Sequence, residues 1–527
     1  MGTPDRTFVD EAPLRETARL LASLPRRIGD VASLAAARAP GDPALEDAGR
    51  TWTFAELHAA SLRAADELAA AGVRGGDRLL IVGENCAALV ILLFAASYVD
   101  AWAVPVNARL ADREIDAILG HCAPRRVVFL SGASPEASAH AARHGALDAL
   151  SLPGVAMSGV REAVPEPVSD DPAAQVAAVL YTTGTTGVPK GVMLTHRNLL
   201  FIARVSSALR LVGPGDRVYG VLPMTHVYGL ASVCLGTLFA GGCILLEPRY
   251  APALLAHALR DRGLTVLQGV PAMYAKLLDH LDARREALAA PQLRFLYAGG
   301  SPLDTALKTA VEARFGRPLH NGYGLTEASP TVTQTRLDAP RGDCSVGPAI
   351  PGVEVRIVDA AGREVPRGEA GELLVRGPNV MRGYYRDPEL TSKTVDADGW
   401  LHTGDLATID ERAALTIVGR AKELIIRSGF NVHPSEVEAV LNMHPAVRQS
   451  AVVGRTVPGN EEVVAFVELG AAGHATVEEI AAFAAQRLAP YKRPAEIVIL
   501  PGLPVSATGK ILKSKLKHAL REKREST

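Results

Sequence analysis

Residues 181–191, YTTGTTGVPKG, have the residue types of a phosphate-binding loop. They follow an apolar run, QVAAVLYT, so we expect the loop to open where a strand ends. Backbone N–H groups and threonine hydroxyls donate to phosphate oxygens, glycines allow close approach, and Lys190 adds a cation. The loop is not a Walker A motif, because Gly191 and not Ser or Thr follows the lysine. The candidate polyphosphate ligands are Thr182, Thr183, Gly184, Thr185, Thr186 and Lys190.

Further motifs along the chain combine glycines with polar or charged residues. They are LPMTHVYGL (222–230), YAGGSPLD (297–304), NGYGLTE (321–327), GELLVRGPNVMRGYY (371–385), GWLHTGD (399–405), GRAKELIIRSGFNVHPSEVE (419–438) and TGKILK (508–513). With the threonine-rich loop they resemble, in the same order, the motifs of the adenylate-forming superfamily, which includes acyl-CoA synthetases, adenylation domains and luciferases. The resemblance covers residues 29–517.

The resemblance implies an ATP-dependent acid:CoA ligase. A carboxylate is a poor electrophile, so these enzymes first convert it with ATP into acyl-AMP and pyrophosphate. They then exchange AMP for the thiol of CoA. The implied cofactors and co-substrates are therefore ATP, Mg²⁺ and coenzyme A.

The resemblance also implies nucleotide-binding roles. We expect Asp405 to accept hydrogen bonds from both ribose hydroxyls and Tyr323 to offer a ring face to adenine. Thr326 is expected to donate to the α-phosphate, and Glu327 to bind Mg²⁺ jointly with phosphate oxygens. The other expected contacts are Gly299, Gly300, Ser301, Asn321, Gly322, Gly324 and Arg420.

The C-terminal segment is expected to supply the adenylation lysine and the path of the thiol. By resemblance, Lys510 bridges the substrate carboxylate and the α-phosphate, where negative charge develops in the transition state. The loop residues expected near the pantetheine chain are Ser428, Gly429 and Phe430. The nearby Lys513, Lys515 and Lys517 are predicted to form a solvated basic helix face.

The identity of the acid depends on three segments that border the acyl group in this superfamily: HVYGL, LYAGG and NGYGLTEASP. They contain no Lys or Arg, which disfavours malonate or oxalate. A fatty acid is expected first and an aromatic acid next, because Tyr228 and Tyr297 could stack on a ring or simply fill space. His226 is interpreted either as a catalytic gate residue or as a satisfied pocket-wall histidine.

Two other functions stay open at this stage. One is a stand-alone adenylation enzyme that loads a carrier protein instead of CoA. The other is a non-catalytic acyl or nucleotide sensor on the same fold, which the presence of Thr326, Glu327, Asp405, Arg420 and Lys510 disfavours.

The elements that must hold these residues alternate between apolar strands and helical patterns, which predicts an α/β fold with parallel sheets. RLLIVG and WAVPVN flank one helix of a βαβ unit, and TVLQGVP and RFLYAGG flank another. From Val353 to Gly419, short strands predict a β-rich subdomain. We expect a large multi-lobed N-terminal domain (1–419, of which 1–28 is a variable extension), a hinge (420–423) and a small mobile C-terminal α+β domain (424–527).

Composition excludes other classes. The chain of 527 residues has 56 Lys plus Arg against 57 Asp plus Glu, so no global field would recruit nucleic acid. Its five cysteines form no CxxC pair, which favours a reducing, cytoplasmic setting. No signal peptide is recognised, and the apolar run 87–99 is predicted to be a buried helix, not a membrane span. A monomer or a homodimer is expected.

Overall fold

A computed structural model describes residues 11–148, 150–183, 189–427, 430–457, 460–470, 473–505 and 511–525. In chain order its strands are β1 (Pro43–Asp47), β2 (Arg50–Thr53), β3 (Arg78–Gly83), β4 (Trp102–Asn107), β5 (Arg126–Phe129), β6 (Leu147–Asp148), β7 (Ala156–Met157), β8 (Val176–Thr183), β9 (Pro189–Thr195), β10 (Arg217–Gly220), β11 (Cys243–Leu246), β12 (Val266–Gly269), β13 (Phe295–Ala298), β14 (Leu319–Gly324), β15 (Thr331–Gln334), β16 (Glu354–Val358), β17 (Gly371–Arg376), β18 (Gly383–Tyr384), β19 (Leu401–Ile409), β20 (Leu415–Arg420), β21 (Ile425–Arg427), β22 (Phe430–Val432), β23 (Val447–Val457), β24 (Asn460–Leu469) and β25 (Glu496–Leu500).

The α-helices are α1 (Glu11–Ala22), α2 (Asp30–Arg38), α3 (Phe54–Ala70), α4 (Ala87–Tyr98), α5 (Asp112–Cys122), α6 (Pro135–Arg143), α7 (His196–Leu209), α8 (Gly236–Ala240), α9 (Pro252–Asp261), α10 (Pro271–Arg284), α11 (Thr305–Phe315), α12 (Pro388–Thr394), α13 (Pro434–Asn442), α14 (Val477–Ala485) and α15 (Lys513–Glu525). A π-helical segment, Tyr228–Leu235, precedes α8. Short 3₁₀ turns cover Thr326–Ala328, Ala421–Glu423 and Pro490–Lys492.

Two eight-stranded sheets form the bulk of the molecule. The first has the order β15-β14-β13-β12-β10-β11-β1-β2 and the second the order β18-β9-β8-β4-β3-β5-β7-β6. The inner pairs of the first sheet are parallel, as β12 with β13 and β13 with β14, so their carboxyl ends share one edge. Ligands of open α/β sheets bind beside that edge, which is where the predicted nucleotide residues of β13 and β14 lie.

The central strands and α4 are apolar because they are covered on every side. Each residue of β3 is buried, as expected for a parallel strand with helices on both faces. Helix α4 contacts β1 of the first sheet and both β3 and β4 of the second, and its sequence AALVILLFAASY has no polar face. The largest apolar core combines residues of both sheets with α3, α4 and α7.

The chain continues into a four-stranded antiparallel sheet, β16-β17-β19-β20, and then into an α/β unit around the sheet β23-β24-β25. In that unit β24 pairs antiparallel with β23 and parallel with β25. Helices α13 and α14 pack on it through an apolar cluster that includes Val437, Leu441, Ile480 and Ala484.

The predicted α/β class and both βαβ units are confirmed, because β3 pairs parallel with β4 and β12 with β13. The predicted buried helix is α4. Within the described residues no helix is long and apolar enough to span a bilayer. The 3₁₀ turn Ala421–Glu423 joins β20 to β21 at the predicted hinge, and the domain limits themselves stay a prediction.

Candidate active site

The glycine-rich ends of β13 and β14 bring backbone close to neighbouring groups. Gly300 has φ +80°, a conformation that glycine adopts without strain. A Cβ on Gly322 would lie 2.0 Å from the Tyr297 hydroxyl and 2.6 Å from the Thr333 carbonyl oxygen. Any side chain at position 322 would therefore displace both Tyr297 and the neighbouring strand.

Asp405 lies at the centre of a polar cluster of predicted nucleotide-binding residues. It is 4% exposed; Oδ2 accepts a hydrogen bond of 2.5 Å from the Tyr323 hydroxyl, and Oδ1 lies 2.9 Å from Arg420 Nε. The hairpin of β19 and β20 places Asp405 directly opposite Arg420. Burial, reinforced by the charge of Asp405, raises the pKa of Tyr323 well above its usual value, so this phenol stays protonated and donates.

Arg420 connects this cluster to Glu327. Burial alone would lower the pKa of Arg420, but the negative charges around it, chiefly Asp405 and Glu423 with a smaller part from Glu327, raise it. Three of the predicted site residues from separate motifs, Glu327, Asp405 and Arg420, are thus brought within electrostatic reach of one another.

Glu327 is held by a residue that the sequence analysis did not single out. Its Oε1 accepts a hydrogen bond of 2.8 Å from the Tyr384 hydroxyl, and its backbone carbonyl accepts one from the N–H of Met381. Burial and the adjacent Glu327 charge raise the pKa of Tyr384, which keeps the donor protonated. Lys190 Nζ lies 5.6 Å from the centre of the Tyr384 ring, so the predicted phosphate-binding lysine and Glu327 flank the same tyrosine.

Several predicted residues fall outside the described part of the chain: Gly184, Thr185, Thr186, Ser428, Gly429 and Lys510. The flanks of the threonine-rich loop are described, and they form the antiparallel hairpin of β8 and β9. In it Thr182 pairs with Lys190, and Thr183 with Pro189. Thr326 lies in the 3₁₀ turn that follows β14, and Ser301 is partly buried just after Gly300.

The loop that carries His226 is fixed by Asn85, a second residue missed by the sequence analysis. The Asn85 amide donates to the carbonyl oxygens of Gly220 and Leu222, both at 2.9 Å, and its Oδ1 accepts from the N–H of Met224. Burial, with a smaller effect of the Arg109 charge, lowers the pKa of His226. The imidazole is therefore neutral at pH 7.

In two of the segments predicted to border the acyl group, Tyr228 and Tyr297 pack edge to face with ring centres 6.1 Å apart. A Cβ on Gly299 would contact both rings, at 3.0 Å and 3.5 Å. The segments expected to border the acyl group do lack Lys and Arg, but a cation reaches them from elsewhere. The Arg210 guanidinium, carried at the end of α7, lies over the Tyr297 ring at 4.5 Å.

The side chain of Asn321 hydrogen-bonds to the backbone of the protein itself. It is 4% exposed, its amide donates to the carbonyl oxygen of Cys344 at 3.0 Å, and its Oδ1 accepts from the N–H of Gly322. These bonds fix the backbone of the Gly322–Tyr323 segment, so the side chain of Asn321 shapes this edge of the sheet.

In the C-terminal unit, Phe430 is 54% exposed and stacks on Tyr491 with ring centres 4.5 Å apart. The prediction that Lys513 belongs to a solvated helix face is wrong. Its ammonium lies 3.0 Å from Glu423 and 2.8 Å from Glu438, and these two charges raise its pKa although burial alone would lower it. Lys513 therefore ties α15 to the predicted hinge, whereas Lys515 is exposed as expected.

Comparisons with known proteins identify the family of the chain. Residues 33–385 match the family model "AMP-binding enzyme", and residues 436–510 match "AMP-binding enzyme C-terminal domain". Feruloyl-CoA synthase of Amycolatopsis sp is 35% identical over 91% of this chain and 96% of its own. 4-Coumarate–CoA ligase 2 of Oryza sativa subsp. japonica is 32% identical over 92% and 91%.

A solved structure extends the likeness to three dimensions. O-succinylbenzoate coenzyme A synthetase (MenE) of Bacillus subtilis, in complex with ATP and magnesium ion, superposes with a TM-score of 0.78 at 29% identity, covering 92% of this chain and 99% of that one. The chain therefore belongs to the AMP-binding enzyme family, and within it to the AMP-forming acid–CoA ligases.

Proposed function

We propose that this ligase acts on an aromatic carboxylic acid, which it converts with ATP and CoA into an aryl-CoA thioester, AMP and pyrophosphate. The observation that carries the proposal is the edge-to-face pair of Tyr228 and Tyr297 beside the Gly299 backbone. Such a pair offers a third ring a defined edge and face, which a flexible alkyl chain does not exploit. The relatives named for feruloyl and 4-coumarate groups support the same choice. The aromatic acid thus replaces the fatty acid as first candidate.

In the first half-reaction a carboxylate oxygen of the acid attacks the α-phosphorus of ATP, and the bond to the pyrophosphate oxygen breaks. Asp405 holds the ribose hydroxyls, with its orientation fixed by Tyr323 and Arg420. Lys190 and the threonine-rich loop hold the outer phosphates. Lys510 stabilises the charge that develops between carboxylate and α-phosphate.

Glu327 is the proposed protein ligand of Mg²⁺. Its carboxylate is aligned at one oxygen by the Tyr384 hydroxyl, and Mg²⁺ commonly takes only one or two protein carboxylates together with substrate phosphates. When bound, the ion would neutralise phosphate charge. The residues of the chain supply alignment: Tyr384 orients the carboxylate, and Lys190 Nζ lies 5.6 Å from the centre of the same ring.

In the second half-reaction the CoA thiol attacks the acyl carbonyl and AMP leaves. The loop of Ser428, Gly429 and Phe430 is proposed to line the pantetheine path after rotation about residues 420–423. His226 acts as a neutral gate beside the acyl group, because burial keeps it unprotonated at pH 7. The five free cysteines support a reducing, cytoplasmic setting, and a monomer or homodimer stays the expectation.

Pyrophosphate release and acyl-CoA formation test the proposal directly. Purified protein is given ATP, Mg²⁺ and either benzoates, cinnamates or straight-chain acids, with and without CoA. We expect aromatic acids to give the highest kcat/KM and acyl-CoA to form at the rate of AMP release. Preference for straight-chain acids would overturn the aromatic assignment, and AMP release without any thioester would overturn CoA as the acceptor.

A further inference from the structure

Arg210 is a buried guanidinium whose hydrogen-bonding capacity is not used up by the protein. It is 1% exposed. Its Nε donates to Gln334 Oε1 at 3.0 Å and its Nη1 donates to Gln268 Oε1. Nη2 has no hydrogen-bond partner among the described residues.

A second buried arginine has hydrogen-bond acceptors for all of its guanidinium nitrogens. Arg78 is 0% exposed, and its Nε, Nη1 and Nη2 donate to the carbonyl oxygens of Cys122, Gly76, Ala123 and Val164. Every nitrogen of its guanidinium is therefore used by the fold. Arg210 has two neutral amide oxygens, an aromatic face and the neutral hydroxyl of Tyr297 nearby, and no carboxylate among the described residues forms an ion pair with it. Such buried charges are costly unless something completes them.

The neighbouring tyrosines do not supply the missing anion. Burial raises the pKa of both Tyr228 and Tyr297, and the positive charge of Arg210 offsets this only in part, so both phenols are neutral. The Tyr228 hydroxyl is itself buried, and no described residue forms a hydrogen bond with it. Two unpaired donors, Tyr228 Oη and Arg210 Nη2, therefore flank the Tyr297 ring, which the proposed function makes a wall of the acid site.

We infer that Arg210 is a specificity-determining residue that donates a hydrogen bond to the far end of the acid, and that this end carries an oxygen acceptor. A ring hydroxyl and a second carboxylate share that chemistry. The inference rests on the proposed acid site but not on the aromatic nature of the acid. It also revises the expectation that malonate and oxalate are disfavoured, because that expectation was based on the absence of Lys and Arg from the segments that border the acyl group.

The test is a panel of acids matched in size, with and without the distal oxygen. The aromatic arm compares 4-hydroxycinnamate and 4-carboxycinnamate with 4-methylcinnamate, and the alkyl arm compares a diacid and an ω-hydroxy acid with the monoacid of equal length. In the wild type, kcat/KM for the oxygen-bearing member should exceed that of its methyl isostere by roughly 10- to 100-fold, the range for a hydrogen bond to a charged group. A ratio near one in both arms would overturn the inference whatever the variants do.

Variants separate specificity from structure. In Arg210→Met the ratio should fall close to one, mainly through KM for the oxygen-bearing acid, and any loss from altered packing should affect both members of a pair equally and cancel in the ratio. Arg210→Lys should restore part of the ratio. Arg78→Met is the matched control: it should lower the thermal midpoint without changing the ratio. An equal loss on all acids in Arg210→Met would mark Arg210 as purely structural and overturn the inference.

The two arms keep the two claims apart. If the enzyme converts only the alkyl acids, and prefers the diacid or the ω-hydroxy acid to the monoacid of equal length, the aromatic proposal fails and the role of Arg210 stands. If cinnamates are turned over without preference for the distal oxygen, the aromatic proposal stands and the role of Arg210 fails.

Discussion

The proposed nucleotide side and the proposed acid side of the site differ in whether the protein pairs its own charged groups. On the nucleotide side, Asp405 is bonded by Tyr323 and Arg420, and Glu327 by Tyr384. On the acid side, the Tyr228 hydroxyl and Arg210 Nη2 are buried without a hydrogen-bond partner in the described part of the chain. A preorganised region suits a ligand that is the same in every turnover. An incomplete one suits a ligand whose own groups complete it, so selectivity should reside on the acid side.

The largest effect is expected at Lys510. Lys510→Ala should lower the rate of acyl-AMP formation by roughly two to three orders of magnitude, as for other lost electrostatic donors, and by the same factor for every acid. Thioester formation from supplied acyl-AMP should survive. Single-turnover assays of the two half-reactions check this, with the exposed Lys515→Ala as control. Equal loss in both half-reactions would contradict the assignment.

Asp405→Asn should give the next largest effect. The substitution removes the ion pair with Arg420 and one charged acceptor, so KM for ATP should rise by roughly 10- to 100-fold. Because Asp405 belongs to the nucleotide side, the ranking of acids should not change. Steady-state kinetics with two acids of different affinity measure both quantities, and a reordered acid preference would break the comparison between the two sides.

Tyr384→Phe should have a smaller effect, confined to the metal. Loss of one neutral donor to Glu327 should raise the Mg²⁺ concentration needed for half-maximal rate by roughly five-fold. Tyr385→Phe is the neighbouring control, since that hydroxyl bonds to Glu166 instead. Titration of Mg²⁺ at saturating ATP distinguishes the two variants. The same shift in both would mean that the hydroxyl of Tyr384 has no special relation to Glu327.

The smallest effect concerns pH and His226. Burial lowers the pKa of the folded imidazole, so the unfolded state binds a proton at higher pH than the folded state does. The folded state therefore loses stability as pH falls through the ordinary histidine pKa of about 6.5. The thermal midpoint of the wild type should drop further between about pH 7.5 and about pH 5.5 than that of His226→Gln. Identical drops would mean that the histidine is not desolvated.

The residues predicted for the nucleotide side could be named from the sequence because they lie in contiguous motifs with recognisable chemistry, and their nucleotide-binding roles stay a prediction. Asp405 and Arg420 end up opposite each other because a single hairpin joins their motifs. The α/β class and the buried α4 follow from apolar patterning. Tyr384 lies in a motif, GELLVRGPNVMRGYY, that was recognised, but nothing local shows that its hydroxyl reaches Glu327.

The acid side is harder to predict because its chemistry comes from distant segments. Arg210 follows the last turn of α7, and a basic residue at that position is typical of a cation that interacts with the helix C-terminus. Its contacts with Gln268 and Gln334 depend on the order of strands in the first sheet, which no local pattern encodes. The prediction for Lys513 failed for a related reason: it was grouped with the nearby Lys515 and Lys517, whereas tertiary packing brings Glu423 and Glu438 to it.

The most direct test of the account is pyrophosphate release measured over the acid panel, with KM for ATP determined for each acid in the presence of CoA. We predict that kcat/KM differs by more than roughly ten-fold between acids with and without the distal oxygen, while KM for ATP stays constant and each AMP released is matched by one acyl-CoA. Two results would contradict the division between a generic nucleotide side and a selective acid side. One is a KM for ATP that changes from acid to acid in step with kcat/KM, and the other is an equal kcat/KM for all the acids.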